Sequence, residues 1–304
     1  MLFSGQFDVV GKKIVITGGS QGLGAELGKQ LIIRGAAKVS LIARTESKLK
    51  ETVLEISSFK QNQNQIVDFL AADISSYESC SKIVDSLDEI DVVFFCAGSS
   101  IPKLFLDLTP KELSNGVNIN YNTALYFAHA ALLKMKNKKV DHKRHFIFCS
   151  SVLAIYPFIG YGQYAPLKSA LRSLADILRH ETIPFNIKVH CVYPGNFASE
   201  GFIEEEKTKP EITKQIEGPS SPIPVEDCTK IVLWFLDRGY ETIFTDVIGW
   251  ILSCTTLGMS PRVLSIVQIF LSLVLNIIAP FYTLFTNYEI KNYFIKQIDN
   301  SKDK

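Results

Sequence analysis

The 304-residue chain has almost no net charge: 32 lysines and arginines stand against 31 aspartates and glutamates, a formal balance of +1. Without a global basic field the composition offers no grip on a phosphate polymer, so no nucleic acid is expected as a main partner. Glycine (18) and proline (12) are too scarce for a collagen-like or low-complexity chain. With 47% hydrophobic and 21% charged residues, intrinsic disorder is excluded as well. The six cysteines are scattered, with no spacing that pairs them, and Cys96, Cys149 and Cys191 end strand-like runs where a small buried hydrophobe fits. The five histidines lack zinc spacing, and His142 and His145 fall in KVDHKRH, which reads as a solvated loop, so no metal is expected. No secretory signal precedes VITGG, which together with unpaired thiols predicts a reduced, cytosol-facing domain. Charge is missing most sharply near the C-terminus. Val263 to Tyr288 carries none, and Arg262 alone separates that run from the equally uncharged stretch Val247 to Pro261.

What is present is an alternation of short β-branched runs with longer segments of helical spacing. KIVIT (Lys13 to Thr17), KVSLIA (Lys38 to Ala43), IVDFLA (Ile66 to Ala71), DVVFFC (Asp91 to Cys96), HFIFC (His145 to Cys149) and KVHCVY (Lys188 to Tyr193) read as six strands. Between them lie helical patterns such as Leu23, Leu27, Leu31 and Leu167, Leu171, Leu174, Leu178. This order predicts an α/β fold: a doubly wound, mostly parallel Rossmann-type sheet with helices on both faces. The division expected is a catalytic domain over 1–262, a hydrophobic membrane-associated segment over 263–288, and a polar tail over 289–304. Within the domain, 196–224 is polar and interrupted by proline, and reads as a lid. A last helix follows from Val225 to Arg238.

The first strand runs into Thr17-Gly18-Gly19-Ser20-Gln21-Gly22-Leu23-Gly24 and then a helix. Glycines at 18, 22 and 24 permit a tight turn and close approach to a pyrophosphate, whose charge the helix N-terminus favours. At the end of the second strand, where an acidic residue would hold a ribose 2′-hydroxyl, stands Arg44, whose guanidinium pairs with a 2′-phosphate; this favours NADPH. Tyr164 and Lys168 are four apart, thirteen or more residues after Ser151, and on a helix they share one face. A lysine ammonium near the phenol would lower its pKa and suit it to proton transfer. Pro166 is tolerated only in a first turn, so Tyr164 is expected at a helix N-terminus. Glu204, Glu205 and Glu206 in the lid could attract a cationic substrate, but read first as a solvated acidic helix end.

Together these features resemble the short-chain dehydrogenase/reductase family over roughly residues 9 to 250. The matching residues are Thr17 to Gly24, Asp73 after the third strand, Cys96-Ala97-Gly98 in place of Asn-Ala-Gly, Asn120 in Ile119-Asn120-Tyr121, Ser151, Tyr164, Lys168 and Pro194-Gly195. The resemblance implies Tyr164 as general acid, Ser151 polarising the substrate carbonyl, Lys168 also holding the nicotinamide ribose, and Asn120 supporting a water in the proton relay. It implies cofactor contacts from Gly18, Ser20, Gln21, Gly22, Gly24, Arg44, Lys48, Asp73, Gly98, Tyr164, Lys168, Pro194 and Ser199, the last where a threonine is common. Cys96 departs from the usual asparagine without removing a catalytic group.

GGSQGLG, INY, GFIEEEKTKPEIT and LGMSPR before the apolar tail carry a closer resemblance, covering the whole chain, to the 3-ketodihydrosphingosine reductases of sphingolipid synthesis, the fungal form in particular. That implies NADPH-dependent reduction of 3-ketosphinganine, a long-chain keto-sphingoid base, to sphinganine. It also implies a homo-oligomer at the endoplasmic reticulum membrane with its catalytic domain facing the cytosol. Two other readings stand beside it: a related reductase of a steroid or 3-ketoacyl lipid, and a non-catalytic dinucleotide-binding scaffold. The intact Asn120, Ser151, Tyr164 and Lys168 argue against the scaffold. The uncharged run of 26 residues is long enough to span a bilayer. Its Ser265, Gln268, Ser272 and Asn276 could instead form a polar stripe on an interfacial helix, and Pro280 would break or kink it.

Overall fold

The computed structural model describes residues 7–302 apart from 139, 220 and 259. The six apolar runs become strands β1 (Lys13–Thr17), β2 (Lys38–Ala43), β3 (Ile66–Ala71), β4 (Val92–Phe95), β5 (Arg144–Cys149) and β6 (Ile187–Tyr193). Two short strands, β7 (Phe197–Ala198) and β8 (Ile223–Pro224), pair separately inside the lid region. A further strand, β9 (Thr242–Phe244), closes the main sheet against β6. Three residues are too few to show a period, so no pattern in the sequence marks this strand. The main sheet has the order β3-β2-β1-β4-β5-β6-β9, every neighbouring pair parallel. Chain order reverses between β1 and β4, so the connections that leave their carboxyl ends run to opposite faces of the sheet and open the crevice in which such sheets bind ligands.

Side chains alternate across the sheet and build a separate core on each face. Ile14, Ile16 and Phe94 point toward α1 (Gly22–Ile33) and the helix Val225–Asp237, where Leu27, Leu31, Val232 and Leu236 meet them. Val15, Phe95, Phe146 and Phe148 point the other way. There they pack against α3 (Tyr77–Ser86), α5 (Thr123–Lys136) and α6 (Ala165–Glu181), which follow α2 (Glu46–Ser57) and α4 (Pro110–Val117) in the chain. Phe95 and Phe148 stack with ring centroids 4.3 Å apart, placing a rigid aromatic layer under the crevice.

His145 lies buried on β5, as its place in the HFIFC run predicts and against the reading of KVDHKRH as a solvated loop. Its Nδ1 is 3.0 Å from His190 Nε2, and His190 Nδ1 is 2.7 Å from the Tyr240 carbonyl. The carbonyl accepts only, so His190 Nδ1 carries a proton, His190 Nε2 accepts, and His145 Nδ1–H donates to it. Burial holds both rings well below the usual histidine range, His145 at about 3. His142 is half-exposed and pairs with Asp91 at 2.6 Å.

The 196–224 region is two short helices, α7 (Glu200–Thr208) and α8 (Glu211–Glu217), between β7 and β8. Beyond them come α9 (Val225–Asp237), α10 (Val247–Ser253) and α11 (Ser265–Lys302). Helix α11 continues through Pro280 and beyond residue 288 as one element. Ser265–Ile298 is long and apolar enough to cross a membrane, and Ile266, Phe270, Leu273, Ile277 and Phe281 on it are exposed. Of the polar stripe, Gln268 is buried and its Nε2 donates to Ser253 Oγ at 3.3 Å, pinning the start of α11 to α10.

Candidate active site

The first βα turn is shaped by two glycines in the left-handed region, Gly18 (φ +71°) and Gly22 (φ +57°). A Cβ on Gly18 would lie 2.6 Å from the Ala97 nitrogen, so the turn closes against the loop after β4 only because glycine is there. Gly24, in the first turn of α1, packs directly onto the Gly18 backbone. Ser20 gives its carbonyl to Thr52 Oγ1 at 3.0 Å, and Gln21 precedes the helix as its N-terminal flanking residue.

Arg44 follows β2 as an exposed side chain close enough to Asp73 to draw its carboxyl down, after the larger effect of the Ser75 amide. Lys48 donates to Gln21 Oε1 at 2.8 Å and pairs with Glu200 Oε2 at 2.5 Å. Lys48 thereby joins the first residue of the helix Glu200–Thr208 to the glycine turn. Ser199 caps α7 by accepting from the Phe202 amide at 3.1 Å and sits against Gly22. The predicted contacts Ser20, Gln21, Gly22, Lys48 and Ser199 therefore form one cluster at the mouth of the turn.

The second cluster lies at the ends of β4 and β5. Asn120 is buried in a π-helical turn, Asn118–Asn122, between α4 and α5. Such a bulge re-aims one side chain without ending the helix. Asn120 accepts from the Ser99 amide and donates to the Ser99 carbonyl, both at 2.9 Å, clamping the loop that contains Gly98. A Cβ on Gly98 would lie 3.0 Å from both Asn120 Oδ1 and Lys168 Nζ, so glycine keeps this cradle open. Pro194 accepts from the Val152 amide at 3.1 Å, fixing the turn that bears Ser151.

Tyr164 stands immediately before α6, with Pro166 in the first turn. Lys168 is buried one turn on, and its Nζ donates to the Cys149 carbonyl at 2.9 Å and lies 5.4 Å from the Tyr164 ring centre. Ser150 Oγ donates to the Lys168 carbonyl at 2.8 Å, tying β5 to α6. Ser151 hydrogen-bonds the Tyr164 phenol, which pulls its pKa down. The net direction is nevertheless upward, because burial and then the charge of Glu205 outweigh that bond. The sequence expectation that Lys168 depresses this pKa is thus not what governs it here, since the ammonium faces a carbonyl instead. Burial also lowers the Lys168 pKa.

The lid carboxylates correct a second expectation. Glu204 is exposed and pairs with Lys207 at 2.5 Å, but Glu205 is turned inward and accepts from the Tyr161 hydroxyl at 2.6 Å. Desolvation raises its pKa. Lys209 is the common cation for Glu205 (3.7 Å), Glu206 and Glu217 (2.7 Å), leaving three carboxylates facing one ammonium. Tyr161, fully buried and 6.4 Å in ring-centre distance from Tyr164, links this carboxylate to the central tyrosine. Neither Tyr161 nor the inward turn of Glu205 carries a sequence signal beyond its nearness to Tyr164 and to the lid.

The apolar helix α11 borders the same region. Tyr282 lies 6.2 Å from Tyr156, five residues after Ser151, and Gln215 on α8 donates to Glu289 at 2.6 Å.

The residues fit a nicotinamide dinucleotide. Glycine at 18, 22 and 98 adds no side chain of its own to the turn or to the cradle bounded by Asn120 and Lys168, and no acidic residue stands at the end of β2 to oppose a 2′-phosphate. Asp246 Oδ2, buried beside Gly195, has no hydrogen-bond partner among the described residues and offers an acceptor to a bound amide.

A model of the short chain dehydrogenase family matches residues 12–210. The 3-ketodihydrosphingosine reductase of Debaryomyces hansenii is 46% identical over 326 residues, covering 99% of this chain and 99% of that protein. The enzyme of the same name from Saccharomyces cerevisiae is 38% identical over 316 residues, covering 95% of this chain and 97% of that protein. Among solved structures, a Burkholderia cenocepacia short chain dehydrogenase in complex with NADP superposes with a TM-score of 0.66 at 20% identity, covering 83% of this chain and 95% of that one. A Sphingobium yanoikuyae short-chain dehydrogenase in complex with NADPH gives 0.67 at 18%, covering 77% and 88%.

Proposed function

We propose, from the premise that the chain belongs to the short chain dehydrogenase family, that it reduces 3-ketosphinganine to sphinganine with NADPH. The observation that carries the reading is the joining of Tyr164, Ser151, Lys168 and Asn120 at one crevice, beside a lid that presents an inward carboxylate. Full-length likeness to reductases of that name supports the substrate.

A bound reduced nicotinamide supplies a hydride to the carbonyl carbon. The residues supply the rest. Tyr164 gives its phenolic proton to the carbonyl oxygen as negative charge develops there, and Ser151 Oγ hydrogen-bonds the same oxygen. An upward-shifted phenol suits this direction, because it stays protonated at neutral pH and is a donor before each turnover. Lys168 orients the ribose, and Asn120 holds the loop and a relay water behind it. Arg44 and Lys48 select the 2′-phosphate.

The carbonyl of this substrate has an ammonium-bearing neighbour carbon. Glu205, one residue removed from Tyr164 through Tyr161, is placed to receive that cation. This favours an amino ketone over a steroid or a ketoacyl thioester, neither of which brings a cation. The alkyl chain would lie along α11, which associates with the endoplasmic reticulum membrane and leaves the catalytic domain in the cytosol. Incubating membranes that contain the protein with NADPH and 3-ketosphinganine, beside a steroid ketone and a 3-ketoacyl thioester, tests the reading. Selective turnover of the amino ketone is expected; faster turnover of either competitor would overturn the substrate assignment.

A further inference from the structure

The crevice holds two thiols for which the reaction has no use. Residues Phe95 of β4 and Phe148 of β5 are register partners in a parallel pair, so the next residues, Cys96 and Cys149, continue opposite one another on the same face. Neighbouring strands lie about 4.8 Å apart, inside the Cα separation of about 4.4 to 6.8 Å that a disulfide accepts. The side chains use that proximity: the two sulfurs are 3.3 Å apart. Cys191 does not join them, because it is the register partner of Phe148 and so points to the opposite face.

Both thiols are tied to the cofactor site. The Cys96 amide donates to the Thr17 carbonyl at 3.0 Å, where the glycine turn begins, and its neighbour Ala97 is the residue that Gly18 packs against. The Cys149 carbonyl is the acceptor for Lys168 Nζ. Cys149 is buried, whereas Cys96 is half-buried. We propose that Cys96 and Cys149 form a peroxide-reactive dithiol whose closure to a disulfide shuts down dinucleotide binding at this crevice.

The step balances with a hydroperoxide as oxidant. The Cys149 thiolate attacks one peroxide oxygen, the O–O bond breaks, and the departing oxygen leaves as water with the proton that Cys149 gave up. The Cys96 thiol then attacks the Cys149 sulfenic acid, the S–S bond forms, and the second oxygen leaves as water with the Cys96 proton. Two thiols lose two electrons and one peroxide gains them. The hydrogen bond between the two thiols, and then the Lys168 charge, pull the Cys149 thiol down against its burial, in keeping with Cys149 as the attacking sulfur. Bond formation draws the sulfurs from 3.3 Å to about 2.05 Å. That displacement falls on the strand ends that carry the Gly18 contact and the Lys168 acceptor, where a shift of about 1 Å costs on the order of a hundredfold in rate.

The test uses the full-length protein in membranes, treated with hydrogen peroxide and quenched with catalase. Peptide mapping should find a Cys96–Cys149 disulfide. NADPH binding, read by its fluorescence, should be lost together with about a hundredfold of activity, and dithiothreitol should restore both. NADPH present during treatment should protect. Cys96→Ser, compared with its own untreated form, should keep its NADPH binding after peroxide, while Cys80→Ser should remain sensitive. Cys149→Ser provides the same comparison should Cys96→Ser fold poorly. Mapping of wild-type protein that finds peroxide inactivation without a Cys96–Cys149 bridge, or the bridge without loss of NADPH binding, would overturn the proposal.

Discussion

Tyr164 and its neighbours decide the chemistry at the residue scale. Tyr164→Phe keeps the packing of the ring and removes only the proton, so turnover should fall by about 10² to 10⁴ with NADPH binding nearly unchanged. A variant that keeps wild-type turnover would show that another group donates. Glu205→Gln keeps the hydrogen bond from Tyr161 but removes the charge. KM for the amino ketone should rise by roughly tenfold or more, as expected for a charge-assisted contact of about 1.5 to 3 kcal/mol, while a long-chain ketone lacking the amine should be unaffected. Equal effects on both substrates would make Glu205 a structural residue. Arg44→Ala should erode the preference for NADPH over NADH through binding of the phosphorylated cofactor alone, an effect that high salt masks because the side chain is exposed.

The buried His145–His190 pair makes a separate prediction about stability. Both rings are held neutral in the folded state, below the ordinary value of about 6.5. Between that value and about 3 for His145, the unfolded chain binds more protons than the folded one. Stability therefore rises with pH across this window and is lost as pH falls through it. Denaturant melts of His145→Phe from pH 7 to pH 4 should show a shallower loss than wild type; parallel curves would contradict the assignment.

Among the elements, the ones read correctly are those whose period is long enough to see. Strands β1 to β6 announce themselves as continuous apolar runs because helices cover both faces of the sheet, and α1 and α6 through apolar residues at helical spacing. What escaped reading is what tertiary context decides. The strand β9 is three residues long, His145 ends a charged run on one side and begins the apolar run of β5 on the other, and the 196–224 region resolves into two helices whose inward residue no local rule selects. At the site, the glycine turn and the Tyr164–Lys168 spacing were legible, because each is one local backbone geometry. Tyr161, the Cys149 carbonyl and the Cys96–Cys149 contact were not, since they depend on strands and loops distant in sequence. Leu27, fully buried between β1 and α9, tests the element account: Leu27→Ala should lower stability by about 2 to 5 kcal/mol, read from the shift of the denaturation midpoint.

At the scale of the whole molecule, an α/β reductase carries an apolar helix, α11, that packs beside α8. Gln268 and Glu289 anchor α11 at two points, and most of the apolar residues between them, Phe270, Leu273, Ile277 and Phe281 among them, are exposed. A chain stopped after Pro261 should move from the membrane to the soluble fraction after alkaline carbonate extraction, while the full-length protein stays behind. The central claim is that Tyr164 protonates, and NADPH reduces, the keto group of a long-chain amino ketone. It is tested most directly by incubating wild-type and Tyr164→Phe membranes with 3-ketosphinganine and NADPH deuterated at the transferable position of the nicotinamide. Sphinganine carrying deuterium on the carbinol carbon is expected from the wild type and almost none from the variant. Unlabelled product, or equal labelled product from both proteins, would contradict the claim.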